Sequence, residues 1–312
     1  MRRLRRWLTA LAPSLATLVL LPLAAELTAR SLLDVPRAHH VWQPNPFDCL
    51  RRSRLLGLEY APRCNGASLM RDRTRYRTNE IGLRSDPIRD DGSLRILTLG
   101  DSCTFGWGVR QSAAYPQALQ SLLDARSGPQ RYQVINAGAP GYSSYEGLLF
   151  LRERGLALDP RVVIFAFGFN DFYPGRDIEE RLRWNRRLFH VRGFLTFLSQ
   201  ESSFYRWFLG RREKVIESRN SRRVPLAKYE RNLRAIVEAS RGAGAKPLMV
   251  VFPYPDPAFH PYQQMAIGLA EALEVPQLGY EGPLLDFIHP TEAGYARLAA
   301  EILARLEVHA FL

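Results

Sequence analysis

Hydrophobic and polar positions change their rhythm along this chain of 312 residues. From Leu94 onward, short apolar runs alternate with segments of helical period. "LRILTLG", "RYQVINAG" and "RVVIFAFG" read as strands, and "SAAYPQALQSLLDAR" and "SSYEGLLFLRERGLAL" between them read as helices. After an interruption, "LAKYERNLRAIVEASRGAGA" predicts a helix and "KPLMVVFP" a strand; "PTEAGYARLAAEILARL" predicts a closing helix with Pro290 in its first turn. Such alternation builds βαβ units. The fold expected for residues 94–312 is α/β, a three-layer α/β/α sandwich around a mostly parallel sheet.

The pattern is different at the start. "MRRLRR" leads into nineteen uncharged residues, Trp7 to Ala25, which as a helix span about 28 Å, one bilayer core. Arg2, Arg3, Arg5 and Arg6 precede this run, and only Arg30 and Arg37 follow closely. The positive-inside rule therefore keeps the N-terminus cytoplasmic and exports the rest. A cleaved signal peptide is the competing reading, but cleavage after Ala24, Ala25 or Ala29 would put Pro22, Leu23 or Leu27 where a small residue is wanted. Residues 1–30 are thus expected to be a retained membrane anchor. Residues 31–93, rich in Pro, Arg, Asn and Gly, read as an irregular stalk with short strands such as "RTRYRTNEIGLRS".

A net charge of +12 raises the question of nucleic acid, and the distribution answers it. Residues 1–75 carry 13 Lys+Arg against 5 Asp+Glu, and residues 172–228 carry 14 against 6, so the remaining body is mildly acidic. Basic charge confined to a terminus and one insert fits a membrane neighbour, and no nucleic-acid partner is expected. The insert, 172–228, interleaves aromatic residues and arginines at helical spacing in "RLRWNRRLF" and "FLTFLSQESSFYRWFLGRR". It reads either as a helical cap near anionic headgroups or over the catalytic cleft, or as a peripheral hairpin packed on the sheet.

Cys49, Cys64 and Cys103 have no metal-ligand spacing with histidine, so no metal and no other cofactor is expected. Cys49 and Cys64 are either a disulfide or two free thiols, and Cys103 reads as a small buried residue. His39, His40, His190 and His309 read as surface residues. His260, on the loop after "LMVVF", lies at the edge where substrate would arrive.

In an open α/β sheet the ligand site lies beyond the carboxyl ends of the strands. There the chain places Gly100-Asp101-Ser102, then "AGAPGYSS", then Gly168-Phe169-Asn170-Asp171, and finally Asp286 three residues before His289. A serine hydroxyl needs a base to take its proton, and an imidazole base works best when a carboxylate orients it. Turns around Ser102 and Gly141 can aim backbone N–H groups at a developing oxyanion, and the Asn170 side chain can add another donor.

These blocks resemble the SGNH hydrolase superfamily, also called GDSL esterases/lipases, over residues 94–305: "GDSCTFG", "NAGAPGYS", "GFND" and "DFIHP". The stalk motif "YRTNEIGLRS" is similar to membrane-tethered bacterial members. The resemblance implies a flavodoxin-like sheet and Ser102 as nucleophile and oxyanion donor. Gly141 and Asn170 complete the oxyanion hole, His289 is base then acid, and Asp286 orients it. The expected function is a membrane-anchored, exported serine esterase that cleaves carboxylic esters, first of all acetyl, through an acyl-serine. An acetylated polysaccharide or a lipid would be the substrate, and the basic insert would add a second membrane contact. An O-acyltransferase on polysaccharide and a non-catalytic glycan-binding scaffold are the alternatives.

Overall fold

A computed structural model describes residues 20–32, 49–67, 74–188, 202–204 and 221–312. The chain divides into two compact units, one of residues 1–44 with 187–220, the other of residues 45–186 with 221–312.

The second unit is built on a five-stranded, all-parallel sheet. Two short hairpins come first, β1 (Leu50–Ser53) with β2 (Gly57–Tyr60) and β3 (Asn65–Ala67) with β4 (Arg75–Arg77). There follow β5 (Leu94–Gly100), the single turn α1 (Ser102–Phe105), α2 (Tyr115–Ser127), β6 (Tyr132–Gly138), α3 (Ser144–Phe150), β7 (Pro160–Ala166), α4 (Phe169–Phe172) and α5 (Ile178–Leu188). The chain resumes with α6 (Leu226–Gly242), β8 (Lys246–Val251), α7 (His260–Ala272), β9 (Gln277–Gly279) and α8 (Glu292–Val308). The sheet order is β6-β5-β7-β8-β9. Because β5 connects outward to β6 while β7 starts the other half, the topological switch point falls between β5 and β7.

Period-two alternation sends neighbouring strand residues into different layers. Ile96, Val162, Ile164, Leu248 and Val250 pack with Leu119, Leu123, Leu298 and Ile302 of α2 and α8. Leu97, Leu99, Val163, Phe165 and Met249 pack on the other face with Leu148, Leu233, Ile236 and Leu269 of α3, α6 and α7. The expected α/β/α layering is what these two clusters form.

Residues 49–92 depart from the stalk reading. Leu56, Tyr60, Tyr76 and Leu83 are buried in the same cluster as the sheet, Tyr60 stacks on Phe105, and Cys49 is disulfide-bonded to Cys64. The signal was weak because the strands here are only three or four residues long, too short to show a period. The described start of the insert packs on this region: Leu182 is buried, and Asn185 Nδ2 donates to the Ser53 carbonyl at 2.9 Å.

In the first unit, residues 20–32 form a helix with Leu20, Leu21, Leu23, Leu27 and Leu32 exposed. The Glu26 carboxylate pairs with Arg30 at 2.7 Å and accepts hydrogen bonds from Ser202 Oγ at 2.7 Å and the amides of Ser203 at 2.8 Å and Phe204 at 3.1 Å. Among the described residues, no helix is long and apolar enough to cross a membrane. Residues 1–19, most of the predicted anchor, lie outside the described residues, as do residues 189–201 and 205–220 of the insert.

Candidate active site

The strand β5 ends in a glycine because nothing larger fits. A Cβ on Gly100 would run into Thr104 and lie 2.8 Å from the Ala166 carbonyl oxygen. Asp101 then caps α1, its Oδ1 accepting the Cys103 amide at 2.9 Å, and Ser102 becomes the first helical residue. That position leaves the Ser102 N–H without an intrahelical acceptor.

Ser102 Oγ lies 2.8 Å from His289 Nε2, and His289 Nδ1 lies 2.7 Å from Asp286 Oδ2. The Asp286-x-x-His289 segment is curled by its own carboxylate: Asp286 Oδ1 accepts the amides of Ile288 and His289, each at 2.8 Å. Partial burial pushes the Asp286 carboxyl up, but these hydrogen bonds outweigh it and hold the group below its usual range. A backbone pair from Leu285 N–H to the His289 carbonyl, 2.7 Å, closes the loop ahead of the Thr291 cap of α8. The Cys103 thiol reaches the Ile288 carbonyl at 3.6 Å, joining the nucleophile turn to the histidine loop. It is buried, and burial drives its titration well up, as suits a packing residue.

The two other residues expected as donors sit in turns at neighbouring strand ends. Ala139-Pro140-Gly141-Tyr142 is a turn closed by the Tyr142 amide on the Ala139 carbonyl at 3.0 Å, with Gly141 at φ +81° as the third residue of a type II turn requires. Asn170, in the first turn after β7, donates Nδ2 to Asp101 Oδ2 at 3.1 Å, which uses one of the two N–H bonds of its amide. Asp101 is buried and its carboxyl raised, chiefly by desolvation.

Several residues that support this arrangement were not singled out in the sequence. Arg84 is buried and donates to the carbonyls of Phe105 at 2.7 Å, Gly106 at 2.5 Å and Val109 at 2.8 Å, clamping the loop behind the nucleophile. Its guanidinium also sits over the Phe105 ring at 4.8 Å, and burial lowers its pKa to about 10. Asp171 receives the Ser144 hydroxyl at 2.5 Å and the Ser144 amide at 3.0 Å, and Asn232 donates to the same hydroxyl at 3.0 Å. That network ties the Asn170 turn to α3 and α6. Nothing in the local pattern around Arg84 marks it, whereas Asp171 could have been found as an acid beside the Asn170 block. His260 is exposed at the start of α7. Among the described residues, no cluster of His, Cys, Asp and Glu could hold a metal ion.

The fold and the block pattern define a serine ester hydrolase. Residues 98–297 match the GDSL-like lipase/acylhydrolase family, and the chain belongs to it. No curated protein matches the chain. It is similar to solved structures of the psychrotrophic esterase EstA from Pseudoalteromonas sp. (18% identity, TM-score 0.46, covering 69% of this chain and 98% of that one). It is also similar to Axe2, an acetylxylan esterase from Geobacillus stearothermophilus (19% identity, TM-score 0.45, covering 70% and 96%).

Proposed function

We propose that this chain is a membrane-anchored esterase, with a cytoplasmic N-terminus and an exported catalytic unit, that hydrolyses short-chain carboxylic esters, acetyl esters of polysaccharide first, by way of an acyl-serine. The observation that carries the catalytic part is the relay from Asp286 through His289 to Ser102, at 2.7 and 2.8 Å.

In this reading Ser102 Oγ attacks the ester carbonyl carbon while His289 Nε2 takes the hydroxyl proton, and Asp286 holds the Nδ1–H and stabilises the imidazolium. The oxyanion takes hydrogen bonds from the amides of Ser102 and Gly141 and from Asn170 Nδ2. Collapse breaks the ester C–O bond, and His289 returns the proton to the leaving alkoxide. Water then attacks the acyl-serine, giving its proton to the same imidazole, and Ser102 leaves with that proton.

Export is supported by the arginine-flanked apolar run Trp7–Ala25 and by the Cys49–Cys64 disulfide, a bond that persists in oxidising compartments. The exposed leucines of residues 20–32 continue the apolar run, and the basic insert supplies a second contact with anionic lipid.

The test is hydrolysis of p-nitrophenyl acetate, butyrate and octanoate by the detergent-solubilised full chain beside Ser102→Ala and His289→Ala. Turnover is expected to fall beyond acetate and to drop about 10⁴-fold or more in each variant, with thermal unfolding nearly unchanged. Comparable activity in the variants would remove the assignment. Release of the chain from membranes by alkaline carbonate would remove the anchor.

A further inference from the structure

Two strand ends and the histidine loop contribute aromatic rings to one surface. Phe169 and Tyr173 follow β7, Tyr254 follows β8, and Phe287 lies between Asp286 and His289. The Phe169 ring centroid is 4.7 Å from Tyr254, 6.0 Å from Tyr173 and 6.1 Å from Phe287, and Tyr254 is 5.9 Å from Phe287. A cluster of this kind would normally be core, yet Tyr173 is 56% exposed and Phe287 54%. Contiguous exposed apolar surface next to a reacting serine is a binding feature rather than a packing one.

What it binds follows from its shape and polarity. The cavity lined by Asp101, Cys103, Phe169, Tyr254 and Ile288 amounts to about 10 Å³, room for at most one water, so this cavity holds no alkyl chain. A chain laid over the shelf would stay half wet and gain little from burial. The surface is also polar: Tyr173 and Tyr254 both pack on the Phe169 ring, at 6.0 and 4.7 Å, and so bring two phenol hydroxyls to it. A flat partner with C–H bonds on its face and hydroxyls around its edge matches both the negative ring faces and the phenol hydroxyls.

We infer that this shelf is the subsite for the alcohol part of the ester, and that this part is a pyranose ring of an acylated glycan. The inference rests on the ester-hydrolase reading of Ser102 and specifies its substrate class. Phe287 belongs to the same loop as His289, the group that must protonate the leaving alcohol.

The experiment separates binding from turnover. Full-length Ser102→Ala is titrated calorimetrically with partially O-acetylated xylotetraose and cellotetraose, and again with Phe287→Ala and Tyr173→Ala added. At least one of the two sugars is expected to bind, at least 10-fold more weakly without the two rings, with Phe287→Trp retaining affinity. In the active chain, the same pair of substitutions should lower kcat/KM for the acetylated tetrasaccharide at least 10-fold relative to that for ethyl acetate. Absent binding, affinity indifferent to the two rings, or an unchanged ratio overturns the inference. So does ring-dependent binding of phosphatidylglycerol vesicles or a laurate ester in place of the sugars, which would assign the shelf to lipid. Loss of Ser102-dependent ethyl acetate hydrolysis in the parent chain removes the hydrolase reading alone, because the calorimetric result stands without turnover.

Discussion

Asn170 illustrates how much a single side chain here depends on another. An amide free to rotate would present its oxygen to an oxyanion as readily as its N–H, and a carboxylate neighbour removes that choice. Asp101 Oδ2 accepts from Nδ2 at 3.1 Å, so the amide nitrogen is held toward the residue that precedes Ser102, as the proposed oxyanion role requires. Asn170→Ala should therefore lower kcat about 10²- to 10³-fold with little change in KM, since the lost bond strengthens only as charge develops. Steady-state kinetics on p-nitrophenyl acetate checks this, and a loss expressed wholly in KM would assign Asn170 to ground-state binding. Asp101 itself sits within the Gly-Asp-Ser run, where a turn-capping role is legible, but the reach to Asn170 spans two strand ends and has no local trace.

At the scale of elements, the site is a meeting of turns held from behind. The Asn170 turn is joined to α3 and α6 through the buried Asp171, whose pKa is raised to about 7, first by desolvation and against the hydrogen bonds from Ser144. An acid raised in the folded state keeps a proton that the unfolded chain has already shed. Stability is thus lost as pH climbs from about 4 toward 7 and levels off above, a few kcal/mol in all. Melting temperatures of the parent and Asp171→Asn across pH 4.5 to 8 should diverge, the parent falling relative to the variant through that window. Parallel curves would mean that Asp171 enters the folded state already ionised. Strands β5 to β8 and helices α2, α3, α6 and α8 were legible because their burial repeats at a fixed period, two or three to four residues, whereas α7, whose first residue His260 reads as loop in the sequence, and the three-residue β9 were not. Residues 49–92 were not, because Tyr60, Tyr76 and Arg84 are buried by contact with the turn that carries Ser102, and contact across the fold leaves no period in the local sequence. The catalytic blocks were legible for another reason: strand-end chemistry constrains residue type directly, whereas the Asp171 network and the aromatic shelf are assembled from residues that look ordinary one at a time.

Over the whole molecule, the family match begins at residue 98, while the second compact unit begins at residue 45. Arg84, Tyr60 and Tyr76 lie in that difference and pack against Phe105 beyond it, and the Cys49–Cys64 disulfide lies there too. A chain started at Leu94 would keep Ser102, Gly141, Asn170, Asp286 and His289 yet expose Phe105, which Tyr60, Tyr76 and Arg84 cover, and leave three loop carbonyls without their donor. It is expected to express as aggregate or to melt far below a chain started at residue 45, as parallel thermal scans of the two would register. The practical meaning of the Arg84 clamp is thus one of boundaries: motifs alone would misjudge where a transplantable or crystallisable piece of this protein begins, and the cut that looks cleanest on paper removes the wedge that keeps its nucleophile in register.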